Sequence, residues 1–314
     1  MDHILEDFLV MTEQGIYCSY GDFYIDARHP VHTCLISHAH GDHAIAGHGN
    51  VYCTPPTKDL MQVRYGKKTA GQFACYEYGN VFTVGGVEVY FLSAGHMLGS
   101  SQIMMVYKGV KYLYTGDYKL QPDATCMPIV LEKADVLITE STFAHPDTTH
   151  PPVEAEIAKL RDVGFNILLG TYALGKAQRL TQLINAHCPQ LEVFVHHRIA
   201  PFHQVYEQYG VRDWQYKLYN RKALKEKSAG AVYMVPPMTF NSYIRAKNVI
   251  RVFASGWSHL QRGNALSLYI SDHVDWHDIL YTISQVAPRQ LWTLHGNGNH
   301  LKKHFDEKML VKAL

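Results

Sequence analysis

Between Ser37 and His43 the chain reads Ser-His-Ala-His-Gly-Asp-His, which places three imidazoles and one carboxylate within six residues. His38, His40, Asp42 and His43 are all metal-ligand types, and that density predicts a metal site rather than a solvated loop. In extended chain His38 and His40 project the same way. Gly41 permits a sharp turn, so that Asp42 and His43 face back from the start of a following helix. Two pairs of ligands suit two ions, the requirement of a dinuclear hydrolytic centre.

Two later apolar runs also end in ligand types. Phe91-Leu-Ser-Ala-Gly-His96 supplies an imidazole and Tyr112-Leu-Tyr-Thr-Gly-Asp117 a carboxylate. Each alone reads as a polar loop residue. Together they provide what the first cluster lacks, a third nitrogen for one ion and a carboxylate able to bridge both. Asp135-Val-Leu-Ile-Thr-Glu140 and Gln290-Leu-Trp-Thr-Leu-His295 repeat the pattern of a strand ending in a titratable group. The cluster His273, Asp275, His277 reads either as a second metal site or as one functional histidine with helix-capping and surface neighbours; the second reading is preferred.

The elements that must position these groups follow from periodicity. Thr33 to Ile36 is a buried strand ahead of the first cluster. Gly15 to Asp26 alternates about Gly21-Asp22 as a hairpin, Gly85-Gly86 and Lys108-Gly109 mark two more, and a helix runs from Thr57 to Tyr65. After a linker over Pro146 to Pro152 the pattern alternates: a helix over Val153 to Val163, a strand over Asn166 to Leu169, a helix over Lys176 to Ala186 and a strand over Leu191 to Val195. That rhythm predicts parallel α/β layering. Strands at Val249 to Ala254 and Ala265 to Ile270, and a helix ending at Val286, complete the reading.

A chain of 314 residues can bury a large core or two domains, and its net charge of +1 excludes nucleic-acid binding by bulk charge, leaving local patches and metals. One such patch is Tyr216 to Lys227, basic with interleaved tyrosines, where Arg221 and Lys222 lie; a solvated face is the ordinary reading and a nucleic-acid contact the sharper one. The six cysteines form no Cys-x-x-Cys pair and read as reduced core thiols. With no long apolar run and no basic-then-apolar start, a cytoplasmic protein with no membrane association is expected.

The His-x-His-x-Asp-His stretch resembles the signature of the metallo-β-lactamase superfamily. Glu140 after its strand, Gly175-Lys-Ala-Gln-Arg-Leu180, Ser271-Asp-His273-Val-Asp275 and Leu294-His295-Gly296 are similar to the added motifs of its β-CASP nucleases. The wording Ser-Asp-His-x-Asp-Trp, with Ala254-Ser-Gly-Trp257 before it, looks most like the bacterial ligase-associated DNA exonucleases. The resemblance implies an α/β fold of the α+β sandwich kind: an αββα metallo-β-lactamase domain over residues 1–146 and 255–314, with a short α/β insert of β-CASP type over 147–254.

It further implies two zinc ions, manganese being the alternative. One would be held by His38, His40 and His96, the other by Asp42, His43 and His295, with Asp117 bridging. Asp26 would support the ligands by hydrogen bonds, although a turn aspartate before His29-Pro30 is an equal reading. Asp42 would orient the attacking water, and His273, held by Glu140, would protonate the leaving oxygen. Lys176 and Arg179 join Arg221 and Lys222 as candidate nucleic-acid contacts. The implied activity is a phosphodiesterase, a DNA exonuclease acting on single-stranded or end-containing DNA in repair, with a DNA ligase and a helicase in its pathway. An RNA-processing nuclease is the alternative, and a small-molecule zinc hydrolase a third.

Overall fold

The computed structural model describes residues 3–67, 69–220, 229–243, 249–261, 263–296 and 298–314. The chain divides into two compact units, one comprising residues up to Thr149 together with His273–Leu314, the other His150–Asp272.

The first unit is built on two sheets. One has the strand order β1 (Val10–Thr12), β2 (Gly15–Cys18), β3 (Phe23–Ile25), β4 (Thr33–Leu35), β5 (Asn50–Cys53) and β6 (Gln72–Cys75). Seven strands form the other: β7 (Phe82–Val84), β8 (Val87–Ser93), β9 (Ser101–Tyr107), β10 (Val110–Tyr114), β11 (Val136–Glu140), β18 (Gln290–Leu294) and β19 (Leu310–Ala313), with β10, β11, β18 and β19 parallel. Successive side chains of a strand face opposite ways, and the second sheet uses both faces. Tyr112, Val136, Ile138 and Trp292 pack inward with Phe23, Ile25 and Leu35 of the first sheet. Leu113, Leu137 and Leu291 instead pack with Trp276, Ile279 and Ile283 of the helix Trp276–Val286. Helix α1 (Pro55–Tyr65) lies by the first sheet, with Thr54 as its N-cap. This is the α+β sandwich expected.

In the second unit all six strands are parallel, in the order β14 (Lys217–Leu218), β13 (Glu192–Val195), β15 (Ala231–Val235), β12 (Asn166–Gly170), β16 (Val249–Ala254) and β17 (Leu266–Leu268). Helices α2 (Val153–Ala158), α3 (Lys176–His187) and α4 (Ala200–Gln208) contribute to the core on one face, and α5 (Pro237–Ser242) supplies Phe240 on the other. The later helices α6 (Trp276–Val286) and α7 (Asn299–His304) belong to the first unit. Among the described residues no helix is long and apolar enough to cross a membrane.

Three expectations are corrected. Residues 255–272, assigned from the sequence to the first domain, belong with the second unit, because β17 extends the sheet beside β16. Helix α2 stops at Ala158, short of Val163: Lys159, Leu160 and Arg161 donate to carbonyls three residues back, the tightening that ends a helix. No helix follows His43. The chain makes a turn in which the His43 and Ala44 amides donate to the His40 carbonyl, then continues irregularly to β5.

Candidate metal centre

Strand β4 delivers the histidine cluster to the end of the first sheet, and Asp26, at the end of β3, organises it. The Asp26 Oδ1 accepts from the Ser37 amide at 2.7 Å. Its Oδ2 accepts from the Ser37 hydroxyl at 2.6 Å and the Tyr114 hydroxyl at 2.9 Å, and lies 2.8 Å from His43 Nδ1. Ser37 spends its proton on Asp26, so its oxygen accepts from His38 Nδ1 at 3.0 Å. Both His38 and His43 therefore carry a proton on Nδ1, and both turn Nε2 inward.

Other strand ends complete the ring. His96 follows β8, where its amide donates to Ser100 Oγ at 3.1 Å and its carbonyl accepts from the buried Lys119 ammonium at 3.3 Å. Asp117 follows β10 through Gly116, whose φ of 55° is left-handed; a Cβ there would sit 2.9 Å from the Ser37 Cβ, so only glycine lets this turn close on the first cluster. Parallel pairing sets Glu140 of β11 beside Leu294 of β18, and His295 follows with a φ of 55°.

The convergence is specific. Ligand atoms of His38, His40, His96 and Asp117 lie within 4.8 Å of one another, as do those of His43, Asp117 and His295, and those of Asp117, Glu140 and His273. Asp117 belongs to all three groups. His40 Nδ1 is 3.0 Å from His38 Nε2 and 3.2 Å from His96 Nε2. One ring proton cannot serve both contacts, whereas a cation among the three nitrogens satisfies all of them. The donor set thus fits a divalent ion of borderline softness, and the second group of two imidazoles sharing Asp117 fits another.

Electrostatics separate the two rings, His38 being neutral and His43 having to release a proton before its Nε2 could bind a cation. Burial, with His43, His40 and His96 close by, holds the His38 imidazole well below its usual range. Burial opposes charge on His43 too, yet Asp117 and Asp26 hold it well above. Asp117 stays well below the carboxylate range despite its burial, because of His43 and His273. His273 Nδ1 lies 2.9 Å and 3.1 Å from the two Glu140 oxygens, and its ring is partly exposed.

Not every expected residue joins the centre. Asp42 is exposed, its carboxylate 3.8 Å from His43 Nε2, and it is in none of the three groups, because the turn after Gly41 directs it outward. Lys176 and Arg179 do not form a nucleic-acid surface: both are buried, at 3.1 Å and 2.9 Å from the Asp272 carboxylate, and they donate to the Ile270 and Ser271 carbonyls. Arg221 and Lys222 lie outside the described residues. Asp275 caps α6 by accepting from the Asp278 amide, and His277 is exposed. Sequence reasoning missed Tyr114 and Lys119. Tyr114 looks like any inward residue of an alternating strand, and Lys119 like a surface lysine.

No protein-family model matches the chain. It is 29% identical over 320 residues to a probable DNA ligase of Opitutus terrae, covering 96% of this chain and 30% of that protein. It is 29% identical to an RNase J-like protein of Methanocaldococcus jannaschii, over 49% of this chain and 44% of that one. It is 32% identical to endoribonuclease ysh1 of Aspergillus fumigatus over 35% of this chain and 14% of the relative. The chain thus spans less than half the length of these curated relatives. A crystal structure of a protein of unknown function from Enterococcus faecalis V583 shares the fold, with a TM-score of 0.60 at 14% identity over 92% of this chain and 79% of that one. The α+β sandwich thus gathers histidines and Asp117 at its strand ends into a centre that could hold divalent metal. The chain resembles the β-CASP group of the metallo-β-lactamase superfamily, and its likeness to an RNase J-like protein and an endoribonuclease agrees with that.

Proposed function

We propose that the protein is a two-metal phosphodiesterase, a cytoplasmic DNA exonuclease that works in repair beside a DNA ligase and a helicase. The observation that carries this reading is the set of three donor groups sharing Asp117, with the His273–Glu140 pair in the third. Two zinc ions held by His38, His40, His96 and by His43, His295, with Asp117 common to both and manganese as the alternative, would supply Lewis-acid charge and acidify water. The chain's own residues do the rest. Asp26 and Ser37 fix the tautomers of His43 and His38 so that the ligand nitrogens point inward. Glu140 keeps a proton on His273 Nδ1, and a proton carried on Nε2 would pass to the departing 3′-oxygen of a phosphodiester. Asp42 would orient the attacking water only if its exposed carboxylate turned inward on substrate binding.

DNA is favoured over RNA because the ligase-named relative aligns along nearly the whole chain, whereas the two RNA-named ones align over half of it or less. Those RNA-named relatives support an RNA-processing nuclease as the second reading. The deciding experiment incubates the purified protein, with metal content measured, on matched end-labelled DNA and RNA oligonucleotides. Stepwise shortening of DNA at about two ions per chain is expected. Preferential RNA cleavage would move the assignment to the second reading, and no cleavage of either would overturn both.

A further inference from the structure

We propose that the carboxyl edge of the second unit's parallel sheet is a stacking platform for single-stranded nucleic acid, with Tyr172 and Trp257 as the base-binding rings and Arg198 as a phosphate contact. The inference rests on the nuclease reading and names the residues by which that substrate would be held. Because all six strands are parallel, their carboxyl ends collect on one edge. The residues just beyond three of them are aromatic or basic: Tyr172 after β12, His197 and Arg198 after β13, and Trp257 after β16. Tyr172 is 47% exposed and Trp257 42%, so both side chains reach solvent at this edge.

Topology selects the same place. From β12 the chain runs to β13 on one side of the sheet, and from β16 to β17 on the other. Adjacent strands whose connections part in this way leave a crevice at their carboxyl ends, where open α/β sheets bind ligands. The Tyr172 ring is also supported from below. Tyr172 meets the buried Phe253 edge to face at 6.4 Å, and Phe253 meets Phe240 at 5.4 Å. A Cβ on Gly170 would fall 2.4 Å from the Phe253 ring, so glycine at that strand end is what lets the aromatic layer lie against the sheet. The Trp257 amide donates to Ser255 Oγ at 3.1 Å, fixing its turn. Rigid rings beside exposed guanidinium and imidazole groups match the faces of unpaired bases and the charge of their backbone, without sequence preference.

The test is fluorescence-anisotropy binding of the full chain to two labelled probes, a short phosphorothioate oligothymidylate and an abasic phosphorothioate strand of equal length. Tyr172→Ala and Trp257→Ala should each weaken oligothymidylate binding roughly 5- to 150-fold, the worth of one stacked base. Tyr172→Phe and Trp257→Phe should restore most of it, and binding of the abasic strand should not change. Arg198→Gln should weaken both probes equally and reduce the salt slope by about 0.7. Alanine variants that bind oligothymidylate like the wild type, or that lose equally on both probes, overturn the platform while leaving the nuclease reading intact. A wild-type protein that binds neither probe overturns both.

Discussion

The two units bury the same kinds of side chain to opposite ends. In the first, His38 and His43 each use one ring nitrogen to hold a Ser37–Asp26 network and leave the other facing Asp117. In the second, buried His203 uses both: Nδ1 accepts from the Gln178 amide at 3.0 Å, and Nε2 donates to Thr181 Oγ at 2.9 Å, which passes its proton to the Ala177 carbonyl. The carboxylates differ likewise. Asp117 is shared among three donor groups, whereas Asp272 is saturated by Lys176 and Arg179. A buried polar residue becomes a ligand when its neighbours satisfy half of it and leave the other half directed; satisfied completely, it only holds the fold.

The contrast is broken most severely at Asp117. Asp117→Asn should lower turnover by on the order of 10³–10⁵, the several kcal/mol that metal charge contributes, and deplete both ions together. Elemental analysis of the variant checks this; two retained ions would mean that Asp117 is not shared. Next in size is His273→Ala, expected to keep both ions and lose roughly 10²–10⁴ in turnover on an oligonucleotide. A p-nitrophenyl phosphodiester, whose leaving group needs no proton, should be cut by that variant at close to the wild-type rate. Equal defects on both substrates would remove the acid role.

For the saturated histidine the expected effect is on stability alone. Burial pushes His203 down to about 4, although the Ile199 carbonyl works the other way. The folded imidazole is neutral, so on acidification the unfolded chain takes up its proton first. The stabilisation is complete above the unfolded value near 6.5, falls as pH drops, and levels off near 4, a loss of roughly 3 kcal/mol. Denaturant midpoints measured at several pH values for wild type and His203→Gln should converge as the pH falls from 7 to 4. Parallel curves would show that His203 contributes nothing to the acid sensitivity.

Most of the first unit was legible because its signals are local: alternating strands, two-residue turns, and ligand types at strand ends. Glu140, His273 and His295 could be singled out because each follows or ends a short apolar run near a Gly or Asp. What was hidden depended on distant partners. Lys176 and Arg179 look like the exposed start of an amphipathic helix, and only the path of residues 270–272 buries them on Asp272. Strand β15, fully buried near the middle of its sheet, is a five-residue apolar run between Gly230 and Pro236 with no alternation to mark it. Asp42 lies in the motif by spacing, but its direction is set by a turn whose form residue types do not determine.

The smallest expected effect tests the least conspicuous residue, Asp26, which sequence reasoning could assign equally to a turn or to ligand support. Four donors meet its carboxylate: the Ser37 amide and hydroxyl, the Tyr114 hydroxyl and His43 Nδ1. In Asp26→Asn an amide NH₂ must replace one oxygen, and in either orientation it faces a donor with no lone pair to offer. His43 then has reason to turn or to change tautomer, which would misdirect the Nε2 that faces Asp117 at 3.4 Å. Metal affinity should fall roughly 10- to 100-fold, the usual effect of losing the group that orients a ligand. Titration against a chromogenic chelator measures it, with Tyr114→Phe, which removes only one donor and leaves the carboxylate, expected to show a smaller loss. If Asp26→Asn lowers thermal stability but binds both ions as tightly as the wild type, Asp26 serves the turn, and the orientation of His43 has another source.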